Sequence, residues 1–272
     1  MDGRLIALAY RMLGTMADAE DVVQDAYIRL QNQHAPPRNE EAYLFRVVAN
    51  LAVDRLRHAK VQRNAYQGPW LPEPVADASE VAELAEDLSL GFMFMLERLT
   101  PAERVVFVLR EGFDFAFDEI GRVLGVSTDA ARQRMRRAKR RLSEAPPTAT
   151  PVTEQHALLD QLMLAVAQDD VEQLVALLHP EAIAYTDGGG VVSAAIVPVT
   201  DPRRIAQVTL HLVRRGEAEG AFQMERLESG GGVLLVVRQG GAVHSVTQVT
   251  GENGLVRQLF VMRNPEKLSA FA

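Results

Sequence analysis

The sequence predicts a multidomain chain, all-α in its first half and α+β in its last part. Apolar residues recur at helical spacing from residue 3 to 142, and strand-like runs take over after about residue 180. Two Pro-containing stretches, GPWLPEPV at Gly68 to Val75 and APPTATPVT at Ala145 to Thr153, punctuate the change. With 272 residues and 47% hydrophobic content the chain can bury more than one core, at ~150 residues per domain.

Taken in order, Leu5, Leu8, Ala9, Met12 and Leu13 mark a first amphipathic helix. A second runs from Ala19 to Leu30 and contains Val22, Val23, Ala26, Ile28 and Leu30, and a third covers Glu40 to Lys60, with Pro36 and Pro37 between them. From Asn64 to Glu97 there is no Lys or Arg but there are seven acidic residues, a composition that reads as a linker with a Pro-rich front half. Helices resume at Leu88 to Arg98 and at Pro101 to Glu111. The second of these has Thr100 as cap, Pro101 in first position and Glu103 in third. Beyond the second Pro-rich stretch, His156 to Leu178 gives two helices broken near Gln168 to Asp170. Then AIAYT, VVSAAIVPV, VLLVVRQ, AVHSVTQVT and LVRQLFVMR read as strands between Gly-rich turns. Helices followed by a run of strands indicate an α+β domain in which a curved sheet wraps a helix.

Phe117 to Leu142 carries the most chemistry. A short apolar helix leads through Gly125, which suits a positive φ, to Ser127, whose hydroxyl can accept an orphan N–H of a second helix. In that helix Ala131, Met135, Ala138 and Leu142 form one narrow stripe that can pack on Ile120, Leu124 and Val126. The other faces hold Arg132, Arg134, Arg136, Arg137, Lys139, Arg140 and Arg141. Against those seven cations stand only Asp129 and Glu144, so residues 129 to 144 carry a net charge of +5 inside a chain of net charge −7. A buried stripe with cations around the rest of the circumference fits a helix-turn-helix whose second helix enters the major groove. The same pattern in an unrelated bundle would be a solvated basic helix.

The absence of Cys excludes a disulfide framework and thiolate zinc sites. No stretch approaches the ~20 apolar residues of a membrane span, and the start lacks a signal peptide's basic n-region, so no membrane partner and a cytoplasmic location are expected. Neither a cofactor nor a metal site is indicated.

The helices ALAYRMLGTMADAEDVVQDAYIRLQ and YLFRVVANLAVDRLRHAK, then a linker and the helix-turn-helix, resemble regions 2 and 4 of bacterial extracytoplasmic-function (ECF) sigma factors over about residues 5 to 143. The resemblance implies a non-enzymatic protein that binds core RNA polymerase and promoter DNA. Glu20, Asp21, Gln24 and Asp25 would meet the clamp helices of the β′ subunit; Asp21, Gln24 and Asp25 fall at i, i+3 and i+4. On spacing alone they read as an ordinary solvated acidic face. Arg46, Asn50, Asp54, Arg57 and Lys60 would meet the minus-ten element. Thr128, Asp129, Arg132, Gln133 and Arg136 would meet the minus-thirty-five element, with Arg137, Arg140 and Arg141 on phosphates, and region 4 would also engage the β flap.

GPWLPEPV, YTDGGG at Tyr185 to Gly190 and RNPEKL at Arg263 to Leu268 resemble the WLPEP, DGGGK and NPDKL motifs of ECF sigma factors with a fused SnoaL-like domain, a cone-shaped α+β fold with an apolar pocket. Val191 replaces the subgroup's Lys and Glu266 its Asp, and the chain begins close to region 2, which against the family pattern implies either a truncated first helix or a misassigned start codon. The implied division is 1–65 region 2, 66–87 linker, 88–145 region 4, 146–153 linker and 154–272 SnoaL-like domain. Regulation in cis would run through Trp70 and Leu71, exposed in the linker, and Pro72, Glu73 and Pro74, together with Asp187, Gly188, Gly189, Gly190, Asn264, Pro265, Glu266, Lys267 and Leu268. An unidentified small ligand of the C-terminal pocket is a further candidate partner. The alternative is a DNA-binding regulator that senses such a ligand. A third reading is a SnoaL-class enzyme fused to a DNA-binding module, with Asp187, His179, His211 and His244 as scattered candidates without nucleophile-base or metal spacing. Gly188 to Gly190 lacks the helix and Lys of a phosphate loop and reads as a tight turn.

Overall fold

The computed structural model describes residues 2–63, 65–76, 88–146, 148–218, 220–230 and 232–271. They fall into two units, one from the described parts of 1–65 and 93–145, the other from those of 66–77, 86–92 and 146–272. The stretch expected as an exposed linker is therefore not free: 66–76 and 88–92 fold with the C-terminal domain. Its acidic remainder, 77–87, lies outside the described residues. Helical domains are followed by an α+β domain, as the sequence predicts.

In the first unit, α1 (Asp2–Leu13), α2 (Met16–Gln31) and α3 (Glu40–Arg63) form a bundle. Their buried stripes are Leu5, Leu8 and Met12; Ala19, Val22, Val23 and Ala26; and Leu44, Phe45, Val48, Ala52 and Leu56. Ile28, off the α2 stripe, is 47% exposed. Next come α4 (Leu90–Leu96) and α5 (Pro101–Phe107), the latter opened by the expected capping box: Thr100 Oγ accepts from Glu103 N at 3.3 Å, and Glu103 Oε2 accepts from Thr100 N at 3.0 Å. Instead of continuing as an α-helix to Glu111, α5 runs into a π-helical turn, Val108–Gly112. At Gly112 a Cβ would lie 2.5 Å from Arg11 Nη1, so the Arg11 side chain would have to give way to any larger residue. The helix-turn-helix follows as α6 (Phe117–Leu124) and α7 (Thr128–Ser143), with Gly125 at φ +64° and Ser127 Oγ accepting from Ala130 N at 3.1 Å.

A polar cluster ties this unit together. Glu97, after α4, pairs with Arg104 of α5 and with Arg63 of α3, the latter at 2.5 Å. These two cations and Lys60 satisfy carbonyls left over at helix ends: Arg104 Nε donates to Arg11 O at 2.7 Å, Arg63 Nη2 to Leu13 O at 2.5 Å, and Lys60 Nζ to Glu97 O at 3.1 Å and Leu99 O at 2.5 Å. Burial alone would raise the Glu97 carboxyl, but the Arg104 and Arg63 guanidiniums hold it below the usual carboxylate range.

In the second unit, α8 (Val152–Ala167) and α9 (Val171–Leu177) precede β1 (Leu178–Asp187). The run 191–199, expected as a strand, is a loop with a single bridge between Ala184 and Val199. The Gly188–Gly190 turn redirects the chain, Pro198 offers no donor, and Val191, Ile196 and Val197 point to solvent. Two elements had no counterpart in the sequence reading. α10 (Pro202–Glu217) starts where Asp201 caps Arg204 N at 2.7 Å and buries Ile205, Ala206 and Leu210; β2 (Phe222–Ser229) is a largely exposed edge strand. With β3 (Gly232–Gln239), β4 (Ala242–Glu252) and β5 (Leu255–Met262) the sheet order is β1-β5-β4-β3-β2, parallel only between β1 and β5.

Strand alternation divides the sheet. Leu235, Val237, Val249 and Leu259 share a core with Leu158, Leu159 and Leu162 of α8 and Ile205, Ala206 and Leu210 of α10. Val236, Val246, Gln248 and Phe260 face the other way and are also buried. Residues 88–92 lie on that second face, where Gly91 N donates to Gln248 Oε1 at 3.2 Å. A Cβ on Gly91 would meet Thr250 Cγ2 at 3.1 Å.

Glu97→Gln should destabilise the helical unit by ~3–5 kcal/mol, since it leaves two guanidiniums without their counterion. The folded pKa of Glu97 lies below its unfolded value, so its contribution is present above about pH 4.3 and disappears as pH falls through the folded pKa. Urea unfolding at pH 7 and below pH 4 should therefore show the gap between wild type and variant narrowing in acid.

Candidate functional site

α7 buries Ala131, Met135 and Ala138, and the 3.6-residue period then turns Arg132, Gln133, Arg136, Arg137, Arg140 and Arg141 outward; Asp129 is also exposed and Thr128 half-buried. These side chains are not equivalent. Arg137 and Arg141 lean on Glu103, at 3.7 and 3.3 Å, and Arg132 pairs with Asp129 at 3.1 Å. Burial would raise the Glu103 carboxyl, yet Thr100 and these two arginines lower it. Arg136 and Arg140 have no carboxylate partner among the described residues.

On α3, Arg46, Asn50, Asp54 and Arg57 are exposed, Asp54 and Arg57 being paired at 2.7 Å. The Asn50 amide donates to Arg46 O at 2.8 Å and to Val123 O of α6 at 3.3 Å. Lys60 is turned into the Glu97 cluster, so in this arrangement its ammonium is committed to carbonyls and is not displayed beside Arg57. Burial lowers its pKa. Nothing in the sequence distinguished it from its exposed neighbours.

α2 displays Glu20, Asp21, Gln24 and Asp25 on its exposed side, and Ile28 extends that face one turn further. Asp18 and Asp21 are both engaged by Arg55 of α3, at 3.0 and 2.9 Å.

The C-terminal motifs meet around one buried carboxylate. Asp187, at the end of β1 and fully buried, accepts from Tyr66 Oη at 2.6 Å and Gly189 N at 3.0 Å on one oxygen. On the other it accepts from Leu71 N at 2.9 Å and Lys267 Nζ at 2.8 Å. Four donors saturate a carboxylate. Lys267 Nζ also donates to Leu71 O at 2.6 Å and lies 4.1 Å from the Trp70 ring centroid. Asn264 donates through Nδ2 to Tyr66 Oη at 3.1 Å and caps the 3-10 turn Pro265–Lys267 by accepting from Glu266 N at 3.1 Å. Burial, then the hydrogen bond to Asp187, pushes the Tyr66 phenol well above its usual range. Leu71, Pro72 and Pro74 are buried and Trp70 and Glu73 half-buried, which corrects the expectation that Trp70 and Leu71 are exposed.

Gly188 to Gly190 form the tight turn that lets these parts close. A Cβ on Gly188 would meet Val192 O at 2.4 Å, and one on Gly189, at φ +67°, would meet the Asn264 side chain at 2.5 Å. Val191 is exposed, and the cation on Asp187 is Lys267; Glu266 and Pro265 face solvent while Leu268 is buried. Tyr66 is the member of the site that motif reading missed, because it precedes WLPEP and carries no pattern of its own.

The candidates for catalysis do not converge. Asp187 is taken up as above, His179 accepts from Glu181 N at 3.1 Å, His211 is exposed on α10, and His244 Nε2 accepts from Arg263 at 3.1 Å beside Phe222.

Residues 2–61 match the family model Sigma-70 region 2, and residues 90–142 match Sigma-70, region 4. The chain is 34% identical over 281 residues to ECF RNA polymerase sigma factor SigJ of Mycobacterium tuberculosis, covering 97% of this chain and 90% of the relative. To probable ECF RNA polymerase sigma factor SigI of the same species it is 32% identical over 191 residues, covering 67% and 66%. The crystal structure of the SigJ protein aligns with TM-score 0.78 at 32% identity, covering 98% of this chain and 95% of that one.

Lys267→Met leaves the Asp187 carboxylate buried without a counterion, at a cost of ~3–5 kcal/mol to the docking of 66–76. Trp70 is the chain's single Trp, so release should appear as a red shift of its emission. Tyr66→Phe removes one hydrogen bond to a charged group, ~1.5–3 kcal/mol, and should give a smaller shift in the same direction.

Proposed function

The chain belongs to the ECF RNA polymerase sigma factors, and from that premise we propose how its surfaces divide the work and how the C-terminal domain controls them. The α2 face of Glu20, Asp21, Gln24 and Asp25, with Ile28 as its apolar extension, takes the clamp helices of the polymerase β′ subunit. Region 4 takes the β flap and the minus-thirty-five element, and the α3 face takes the minus-ten element. The observation that carries the DNA reading is α7, which buries only small and apolar residues on one stripe and turns its arginines and Gln133 outward. Arg132, Gln133 and Arg136, nearest its start, read bases; Arg137, Arg140 and Arg141 neutralise phosphates.

Regulation in cis is read from what is already occupied. Asn50 and Lys60 hydrogen-bond to carbonyls of Val123, Glu97 and Leu99, so the described state keeps part of the α3 face closed. Opening it for a promoter requires regions 2 and 4 to part. Residues 66–76 belong to the chain that joins those regions, and held at the Asp187 site they are withheld from that span. The Asp187 site is thereby the restraint, and the closed state is the resting one. The protein works beside the transcription machinery in the cytoplasm; among the described residues no helix is long and apolar enough to cross a membrane.

Promoter-dependent transcription with core polymerase tests this. Asp21→Lys with Asp25→Lys should abolish association with core. Arg140→Ala should leave association intact, weaken promoter binding by the holoenzyme and flatten its salt slope by ~0.9 log unit, the share of one phosphate. Lys267→Met should raise transcript yield at unchanged promoter sequence. Unaltered association of the double Lys variant would sink the polymerase assignment, and a transcript yield indifferent to Lys267 would reduce the C-terminal domain to a passive appendage.

A further inference from the structure

The helix side of the C-terminal sheet encloses a cavity of about 340 Å³ between α8, α10 and strands β1, β3, β4 and β5. That lies at the lower end of the ~300–1,000 Å³ of small-molecule sites. Its body is aliphatic, with Leu162 and Val166 from α8, Val208 and Leu212 from α10, and Leu235 and Leu259 from the sheet. Polar side chains gather at the end where β1 finishes and β4 begins: Thr186 and Thr247 both lie opposite Val261, whereas Ala184 and Val249 lie opposite Leu259, one layer deeper.

These polar groups differ in what they can offer a guest. Thr186 Oγ1 is used in both directions, donating to Ala195 O at 3.2 Å and accepting from Ala195 N at 2.8 Å. Arg263 donates to Ser193 O at 2.5 Å and to His244 Nε2 at 3.1 Å, so the two ionisable side chains of the described lining are engaged with the protein itself. Ser245 and Thr247, two residues apart on β4 and buried, present their hydroxyls on the cavity face of the sheet, beside Val237 and Leu235 of β3. Among the described residues neither hydroxyl has a hydrogen-bond partner.

We propose that this cavity binds a neutral amphiphile, an uncharged molecule whose apolar body lies among the aliphatic side chains and whose single hydroxyl or carbonyl meets Thr247 and Ser245. At ~30 Å³ per water-sized unit the space suits about a dozen non-hydrogen atoms. An anion at the polar end would have to displace Ser193 O or His244 from the guanidinium, and deeper in it would be buried among aliphatic groups without a counterion. A threonine or serine hydroxyl requires no such exchange, because it rotates to donate or accept as the guest demands. Aliphatic and compact aromatic alcohols share this chemistry.

The wall at the polar end also belongs to the Asp187 site. Thr186 faces the cavity and Asp187 the opposite side of the same strand, and Ser193, Ala194 and Ala195 of the following loop line the cavity. That loop is packed on the glycine turn: a Cβ on Gly188 would meet Ala194 Cβ at 2.8 Å. A guest resting on Ala194 and Ala195 holds the loop where the turn needs it, and so favours the docked state of residues 66–76. Occupancy is thereby linked to docking, a step that rests on the regulatory reading above, whereas binding itself does not.

Calorimetric titration of the full-length protein with 1-octanol, 1-naphthol and octanoate tests the site. Saturable binding of at least one alcohol below about 1 mM is expected, with octanoate about tenfold or more weaker than octanol. Thr247→Val, which keeps the shape and removes the hydroxyl, should weaken the alcohol about two- to tenfold, and Val208→Phe, which fills the aliphatic body, should remove binding. Unchanged Trp70 emission in both unliganded variants would show that the fold is intact. Absence of saturable binding by either alcohol below about 1 mM would overturn the proposal, and so would octanoate binding as tightly as octanol or full affinity in a folded Val208→Phe. Equal alcohol affinity in wild type and Thr247→Val would overturn the polar contact. By reciprocity Lys267→Met should weaken alcohol binding, and the alcohol should lower transcript yield. Absence of both effects would overturn the linkage alone, whereas an effect of Lys267→Met on transcription without any alcohol binding would overturn the site and leave the regulatory reading standing.

Discussion

Everything the C-terminal motifs do depends on the saturation of one carboxylate. Asp187 is fully buried, and an unpaired charge there would be untenable; only the simultaneous presence of Tyr66, Leu71, Gly189 and Lys267 makes the ionised group stable. Two of these donors come from the segment that leads out of region 2, one from the Gly turn and one from the C-terminal 3-10 turn. Three motifs far apart in sequence thus belong to a single coordination shell. A buried ion pair adds little net stability over an apolar pair of the same volume, but it penalises every arrangement that leaves a member out. It therefore specifies where residues 66–76 sit more strongly than it strengthens the fold.

The helical unit uses the same chemistry with the signs reversed. Glu97 pairs with Arg63 and Arg104, and Lys60 and these two arginines also donate to carbonyls of Arg11, Leu13, Glu97 and Leu99 at helix ends. Partial charges of the backbone supplement the carboxylate. Such an arrangement is sensitive to backbone displacement, because moving α1 or α5 by an ångström strands a guanidinium. Interfaces of that kind tend to be either formed or lost and seldom intermediate.

Much of this was legible in the chain. The α7 stripe and its cap followed from period and residue type, since Ala131, Met135 and Ala138 could only point one way once Ser127 fixed the start. The Thr100–Glu103 box was likewise local chemistry. Ile28 and Lys60 were harder. An apolar residue off the stripe and a basic residue among basic residues look like their neighbours until the partner element is in place. The run 191–199 misled because apolar, β-branched content without a face reads as a strand, whereas Pro198 and the Gly turn decide otherwise. α10 carried both an Asp-Pro start and a helical stripe, so its signal was present. β2 was not visible, its side chains being mostly polar and its existence owed to pairing with β3. The dock itself lies beyond any periodicity: the motifs marked its parts, but only the fold shows that they share one oxygen pair.

The glycine turn at 188–190 has a consequence for heredity. Every missense change in a glycine codon creates a side chain with a Cβ, and at Gly188 and Gly189 a Cβ collides with Val192 O or with Asn264. Missense substitutions at these two codons therefore all push in one direction, toward an open dock. A lineage can shed this restraint in one mutational step, but it regains it only by restoring the original residue.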